Sequence, residues 1–258
     1  MRYFLEIAYQ GSHYHGWQIQ PNSISVQEVV NRSLSTIIND EISTSGCGRT
    51  DAGVHASQFF LHFDTEKTIP ENLVYKLNRI LPKDISVYRW FAVEPEAHVR
   101  YDANYRAYDY FLHRTKNPFL DSFSTLYPAF DLDVDKMRKA FKSLSDYSDF
   151  SPFEKVNNDA RTSTCEIYKL ELLVNEDESR FHFHIAANRF LRGMVRRIVG
   201  CTLDIGRGKT ELDELEEVMK SAGNFKLNTS APPQGLFLSE VRYPAWENAP
   251  RPLDLVKW

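Results

Sequence analysis

The sequence predicts an α+β protein of two subdomains that meet near residue 104, each built on a mainly antiparallel sheet. Strand-like and helix-like periodicities alternate along all 258 residues. Several neighbouring strand-like segments have links too short for a parallel crossover. At about 150 residues per domain, the length suits one large or two smaller domains. We therefore assign residues 1–104 and 105–244 to two subdomains and residues 245–258 to a C-terminal tail.

The first subdomain begins with a strand and a capped helix. Ser25-Val26-Gln27-Glu28 fits a capping box, and the apolar residues after it recur at helical spacing. Pro70 suits the first turn of a second helix. The predicted elements, in order, are strand 2–9, helix 26–39, a short strand before a glycine-rich loop, strand 56–64, helix 70–81 and strand 85–93.

The second subdomain repeats this alternation. The polar turn NEDES separates two alternating segments and predicts a β-hairpin, and Asp133 suits the N-cap of a helix. The predicted elements, in order, are strand 105–114, helix 134–144, strands 166–174 and 180–187, helices 189–205 and 211–222, and strand 235–243.

Composition is that of an ordinary globular protein, with 42% hydrophobic and 26% charged residues. Its apolar runs are shorter than the roughly 18 residues of a membrane span. The N-terminus alternates like a strand instead of forming the apolar core of a secretory signal. Three scattered cysteines favour reduced thiols. We therefore expect a cytoplasmic protein without a membrane segment.

The loop GCGRTDAGVH, residues 46–55, is the first candidate site. Its three glycines permit positive φ angles and the close approach of another backbone. One interpretation is a tight connection whose polar residues satisfy backbone groups. The other is that the loop presents Asp51 to a cleft while Arg49 reaches an anion. The phosphate-binding pattern G-x-x-x-x-G-K-[ST] does not occur here.

The segment NRFLRGMVRRIVG, residues 188–200, is the second candidate. Arg189, Arg192 and Arg196 are spaced by three and four residues, which predicts one shared helix face, with Arg197 at its border. A charged stripe is often only a solvated surface. However, this chain has a net charge of −4, and the segment contains no acidic residue. Unrelieved arginine favours RNA or phosphate as a partner.

Aromatic and histidine residues give weaker indications. Tyr108 and Tyr110 lie on one face of a predicted strand, which suits core packing or a stacking platform for a base. His13-x-His15 and His182-x-His184 each place two imidazoles on one side of an extended segment. Zinc normally takes three or four protein ligands, and no third ligand of matching spacing is evident. We therefore predict no metal.

GRTDAGVH, residues 48–55, resembles the catalytic-loop signature of the tRNA pseudouridine synthase A family. The similarity extends from about Tyr3 to Pro244, although Gln10 stands where an aspartate is commoner. Four further blocks follow the family's order: YQGSHYHGWQIQPNSISVQE (9–28), HVRYDANYRAYDYFL (98–112), RFLRGMVRRIVG (189–200) and PQGLFLSEVRYP (233–244). Several matching blocks in one order make coincidence a poor explanation.

The resemblance assigns roles to individual residues. It implies that Asp51 is the catalytic aspartate, that Tyr108 stacks on the target uracil, and that Arg196 is the basic partner of Asp51. Leu236 is expected to wall the uracil pocket, and Arg49 to help extrude the target base. The arginines expected to contact the RNA are Arg189, Arg192 and Arg197.

The resemblance also implies an activity: isomerisation of uridine to pseudouridine at positions 38 to 40 in the anticodon arm of tRNA. It implies two ferredoxin-like α/β subdomains around a central positively charged catalytic cleft, a homodimer, and no cofactor or metal. Two alternatives are a non-catalytic RNA-binding module and a carboxylate-dependent nucleoside hydrolase. The hydrolase normally needs a second acid, and none accompanies Asp51 in its loop.

Overall fold

The computed structural model describes residues 1–129, 131–155, 162–221 and 230–244. The predicted C-terminal tail therefore lies outside the described residues. The chain forms two compact units. Unit 1 comprises residues 1–105 with the described residues from Phe237 onward, and unit 2 comprises residues 106–236.

The described residues form nine strands and five α-helices. The strands are β1 (Arg2–Tyr9), β2 (Ser45–Gly46), β3 (His55–Asp64), β4 (Ile85–Val93), β5 (Tyr105–His113), β6 (Thr125–Leu126), β7 (Ile167–Val174), β8 (Arg180–Ala187) and β9 (Leu236–Arg242). The helices are α1 (Val26–Ile38), α2 (Leu73–Ile80), α3 (Val134–Ser143), α4 (Met194–Gly206) and α5 (Leu212–Ser221). Most strand pairs are antiparallel, so the predicted α+β class is confirmed. No helix in these described ranges is long and apolar enough to cross a membrane.

Unit 1 is organised around β1 and β3. Strand β1 pairs antiparallel with both β3 and β4, and the short β2 pairs with β3. Strand β9 joins β3 in parallel, with His55 opposite Phe237. The Gln58 side chain on β3 accepts a hydrogen bond of 2.9 Å from Val241 N on β9. The closing strand thus belongs to unit 1 from Phe237 onward, although it lies within the second predicted subdomain, residues 105–244.

The helices of unit 1 follow their local sequence signals. The Ser25 side chain accepts a hydrogen bond from Glu28 N at 3.2 Å, which satisfies one of the orphan donors at the start of α1. Helix α2 begins at Leu73 instead of the predicted Pro70, because Pro70 O accepts only a turn hydrogen bond from Leu73 N. Strand β3 is buried at nearly every position, and its first residue, His55, lies in the core.

Unit 2 has the antiparallel strand order β5-β8-β7, and β6 runs parallel to β5. The Asp133 side chain caps α3 by accepting a hydrogen bond from Lys136 N at 2.9 Å. Phe183 of β8 packs edge-on against Phe141 of α3, with ring centroids 5.5 Å apart. Alternate residues of β8 therefore face the core, and those between them face the opposite side of the sheet.

The arginine segment differs from the prediction. Helix α4 begins at Met194, not at residue 189. Gly193 precedes it with a φ of +72°, a left-handed conformation that interrupts helical geometry. Arg192 O accepts a hydrogen bond from Lys155 N at 3.1 Å, which holds the preceding turn. Because Arg189 and Arg192 come before the helix, the predicted face shared with Arg196 is wrong.

Candidate active site

The loop that carries Asp51 connects β2 to β3 through a tight turn. Cys47 N donates to Phe60 O at 2.8 Å, which extends the strand pairing into the loop. Val54 N donates to Asp51 O at 3.1 Å, and Gly53 within this turn has a φ of +79°. Asp51 is half-buried and Arg49 is exposed. The aspartate is thus placed on a short, closed turn immediately before a core strand.

A second segment, residues 9–17, holds this loop; we call it the clamp segment. The Tyr9 hydroxyl and Thr50 Oγ1 are 2.9 Å apart in a buried hydrogen bond. Thr50 O accepts from Trp17 N at 3.3 Å, and Gly53 N donates to Tyr14 O at 3.2 Å. These bonds fix the backbone on both sides of Asp51.

Two glycines of the clamp segment allow this close contact. A Cβ atom at Gly11 would lie 2.0 Å from Val54 O, and one at Gly16 would lie 2.2 Å from Thr50 O. Gly16 also has a φ of +84°. Sequence reasoning found this segment only as a block similar to the family and gave it no role. Its two glycines five residues apart, among the aromatic residues of YQGSHYHGW, were the available signal.

The clamp segment is anchored in turn to the residue before β4. The Tyr14 hydroxyl donates to Asp84 Oδ1 at 2.6 Å, and Gln10 N donates to Asp84 O at 2.8 Å. Burial, reinforced by the neighbouring Asp84 carboxylate, raises the pKa of Tyr14 well above its usual value. The phenol therefore stays protonated and keeps donating this hydrogen bond.

The two tyrosines on one face of β5 have different surroundings. Tyr110 is fully buried, and its hydroxyl lies 2.7 Å from Thr125 Oγ1. Tyr108 is half-buried and meets Phe190 edge-on, with ring centroids 5.1 Å apart at 90°. Tyr110 is therefore a core residue, whereas Tyr108 has a ring that is fixed by a neighbour and is only partly covered.

Arg196 is anchored to a backbone segment of unit 2. Its Nε donates to Ala231 O at 2.6 Å, and its own carbonyl accepts from Ala231 N at 2.9 Å. On the same helix, Arg197 donates to the carbonyl of Glu154. These hydrogen bonds give Arg196 and Arg197 structural partners within their own unit.

Leu236 is buried. It directly follows Gly235, where an added Cβ atom would lie 2.5 Å from a backbone oxygen.

The predicted site residues are divided between the two units. Unit 1 holds Arg49 and Asp51 on one loop. Unit 2 holds the other six: Tyr108, Arg189, Arg192, Arg196, Arg197 and Leu236. Of the two arginines before α4, Arg192 is exposed and Arg189 is half-buried. The loop that carries Asp51 is thus built completely within unit 1.

The sequence pattern of the family described as tRNA pseudouridine synthase matches residues 7–102 and 140–244. The chain belongs to this family. The tRNA pseudouridine synthase A of Bacteroides fragilis is 46% identical over 246 residues, which cover 94% of this chain and 96% of that protein. The protein of the same name from Thermoanaerobacter pseudethanolicus is 38% identical over 241 residues, covering 92% and 97%. The resemblance found in the sequence is confirmed, and the chain is an isomerase of this class.

This pseudouridine synthase also carries a polar cluster apart from the residues above. Asp109 on β5 lies with His182 and His184 on β8, and their potential ligand atoms are all within 4.8 Å of one another. The prediction of no metal assumed that the histidine pair has no third ligand. That premise is wrong, because the pairing of β5 with β8 supplies Asp109 from 73 residues away.

Proposed function

We propose that this pseudouridine synthase isomerises uridine at positions 38 to 40 in the anticodon arm of tRNA. The observation that carries the proposal is Asp51, held on a turn between two strands inside a GRTDAGVH loop. The relatives named tRNA pseudouridine synthase A, similar over more than nine-tenths of this chain, support tRNA as the substrate.

The reaction breaks the N1–C1′ bond of uridine, turns the uracil and joins C5 to C1′. A proton leaves C5 and N1 gains one, so the mass of the RNA does not change. Because the target base is stacked in a stem or loop, it must be flipped out before any group can reach C1′. We infer that the Asp51 carboxylate attacks C1′, abstracts a nearby sugar proton, or stabilises a positively charged sugar.

The detached uracil has to stay bound while it turns. We infer that Tyr108 stacks on it and that Leu236 provides an apolar wall. The edge-on contact with Phe190 supports this role, because it orients the Tyr108 ring without covering it completely. Aromatic stacking tolerates rotation of the base, since the π-face is available in every orientation.

The arginines have two further roles in this proposal. Arg196, anchored through Nε, is the basic partner of Asp51 that the family resemblance implies, and the exposed Arg49 helps to displace the target base. Arg189, Arg192 and Arg197 contact the RNA backbone. Arg197 also donates a hydrogen bond to Glu154 O, so it stabilises the fold of unit 2 as well.

From the family resemblance we also infer a homodimer, a cytoplasmic location, two ferredoxin-like subdomains and a positively charged catalytic cleft. The supporting observation is the similarity over 94% of the chain to a tRNA pseudouridine synthase A. The domain boundaries 1–104 and 105–244 stay a prediction, and the closing strand β9 within the second range packs with unit 1.

A mapping experiment tests the proposed activity directly. The purified protein is incubated with unmodified tRNA transcript, and pseudouridine is located by carbodiimide adduction and primer extension. We expect new stops at positions 38 to 40, and none in a control transcript with cytidine at those positions. Binding without stops would favour a non-catalytic RNA-binding module. Release of free uracil would instead identify a hydrolase.

Charge reversal before α4 tests the RNA contacts. Arg189→Glu with Arg192→Glu is expected to weaken tRNA binding at least tenfold. Each lost phosphate contact is expected to flatten the slope of log K against log salt by about 0.7–0.9. Filter binding across a salt series measures both. The control is Arg138→Glu, an exposed arginine on α3 paired with Asp135 at 3.5 Å. An unchanged slope in the double variant would assign these arginines a structural role.

A further inference from the structure

Three metal-binding side chains converge on the sheet of unit 2. His182 Nε2 and His184 Nδ1 each lie 2.7 Å from the same oxygen of Asp109, Oδ1. Among the residues that the structure describes, this is the one group of three or more His, Cys, Asp or Glu side chains with ligand atoms this close together. The two imidazole nitrogens and the carboxylate oxygen thus converge on one point, as the ligand atoms of a metal site do.

The strand pairing explains why these residues meet. Asp109 is directly opposite His184 in the antiparallel register of β5 and β8, and Phe111 is opposite His182. Because side chains alternate along a strand, both histidines lie on the side of the sheet away from the buried Phe183. The Phe111 ring stacks on His182, with centroids 4.6 Å apart, and so restrains that imidazole. The cluster is therefore held by two paired strands and not by a loop.

The spacing of the donors fits a small transition-metal ion after a limited adjustment. Zinc bonds of about 2.0–2.2 Å place neighbouring ligand atoms of a tetrahedron about 3.3 Å apart. The two distances of 2.7 Å would have to open by roughly 0.6 Å, which small side-chain rotations provide. The side chains of Asp109 and His184 are each 18% exposed and that of His182 is 31% exposed, so an ion can reach them.

We propose that Asp109, His182 and His184 form a binding site for a divalent transition metal, with zinc as the expected ion. Imidazole nitrogen suits zinc, copper, nickel and iron better than calcium or magnesium, and one carboxylate completes a three-ligand set. Water takes the remaining position. The bound metal links β5 to β8 on the face of the sheet opposite Tyr108. It therefore stabilises the pairing of these two strands in unit 2 and takes no part in the isomerisation.

The experiment compares zinc binding by the full chain and by matched variants. Protein stripped with chelator is dialysed against a zinc series, and bound metal is measured by mass spectrometry; cobalt(II) absorption reports the coordination. We expect one equivalent of zinc and a higher Tm with zinc for the wild type. Asp109→Asn keeps the shape of the side chain but is expected to weaken zinc binding at least tenfold and to lose the Tm increase.

The control is the double variant His13→Gln and His15→Gln, which removes the other, exposed His-x-His pair of the chain. It is expected to bind zinc like the wild type. Equal zinc binding by wild type and Asp109→Asn would overturn the proposal. A loss of zinc binding in the control as large as that in Asp109→Asn would overturn it too. Either result would leave the three side chains as a hydrogen-bonded group only. If Asp109→Asn does not fold, as judged by circular dichroism, His184→Gln provides the same comparison.

Discussion

Replacement of Asp51 by asparagine is expected to lower kcat for pseudouridine formation by about 10⁴-fold or more, the size of loss that follows removal of a reacting group. Asparagine matches the shape of aspartate and tolerates the same turn, so the hydrogen bond from Val54 N to residue 51 O is retained. What disappears is the negative charge that each of the three chemical routes requires. Binding of tRNA is therefore expected to change by less than about tenfold.

Single-turnover assays with excess enzyme measure this effect without interference from product release. A matched control is Asp64→Asn at the other end of β3, where the carboxylate pairs with Arg2 at 2.8 Å. The control is expected to retain its rate within about twofold. If Asp51→Asn keeps more than a tenth of the wild-type rate, Asp51 is not the reacting group and the loop has a structural role.

Features encoded by neighbouring residues could be predicted from the sequence. The capping box at Ser25 predicted the start of α1, and the Ser25 side chain forms the cap by accepting a hydrogen bond from Glu28 N. The polar turn between β7 and β8 predicted a hairpin, and these strands pair. In each case the deciding interactions connect residues within a few positions of one another, so periodicity and turn chemistry contain the necessary information.

Features that depend on distant residues could not be predicted in the same way. The spacing of the arginines suggested a helix from residue 189, but the left-handed Gly193 and the contact of Arg192 with Lys155 delay its start. Asp109 meets His182 only through the register of two strands far apart in the chain. The roles of individual site residues came from family resemblance, because a local pattern does not specify which reaction a carboxylate performs.

Substitution of Gly16 by alanine is the second large effect that we expect, and it acts on the chemistry from outside the catalytic loop. The new Cβ atom would lie 2.2 Å from Thr50 O, so the backbone next to Asp51 has to move. Misplacement of a catalytic group by about 1 Å can lower a rate by roughly 100-fold. The φ of +84° adds strain of about 1–2 kcal/mol for a residue with a side chain. We therefore expect kcat to fall about 100-fold or more, with a lower Tm.

Two other glycines separate displacement of the loop from strain of the backbone. Gly208 has a φ of +67° with nothing within 4 Å of an added Cβ atom, so Gly208→Ala carries strain without the clash. It is expected to lower Tm and leave kcat nearly unchanged. Gly48 has the same open surroundings and no positive φ, so Gly48→Ala is expected to keep the wild-type Tm. If Gly16→Ala lost stability but kept its rate, the clamp segment would support the fold without positioning Asp51. A rate loss that greatly exceeds that of Gly208→Ala at equal Tm would assign the clamp segment to the active site.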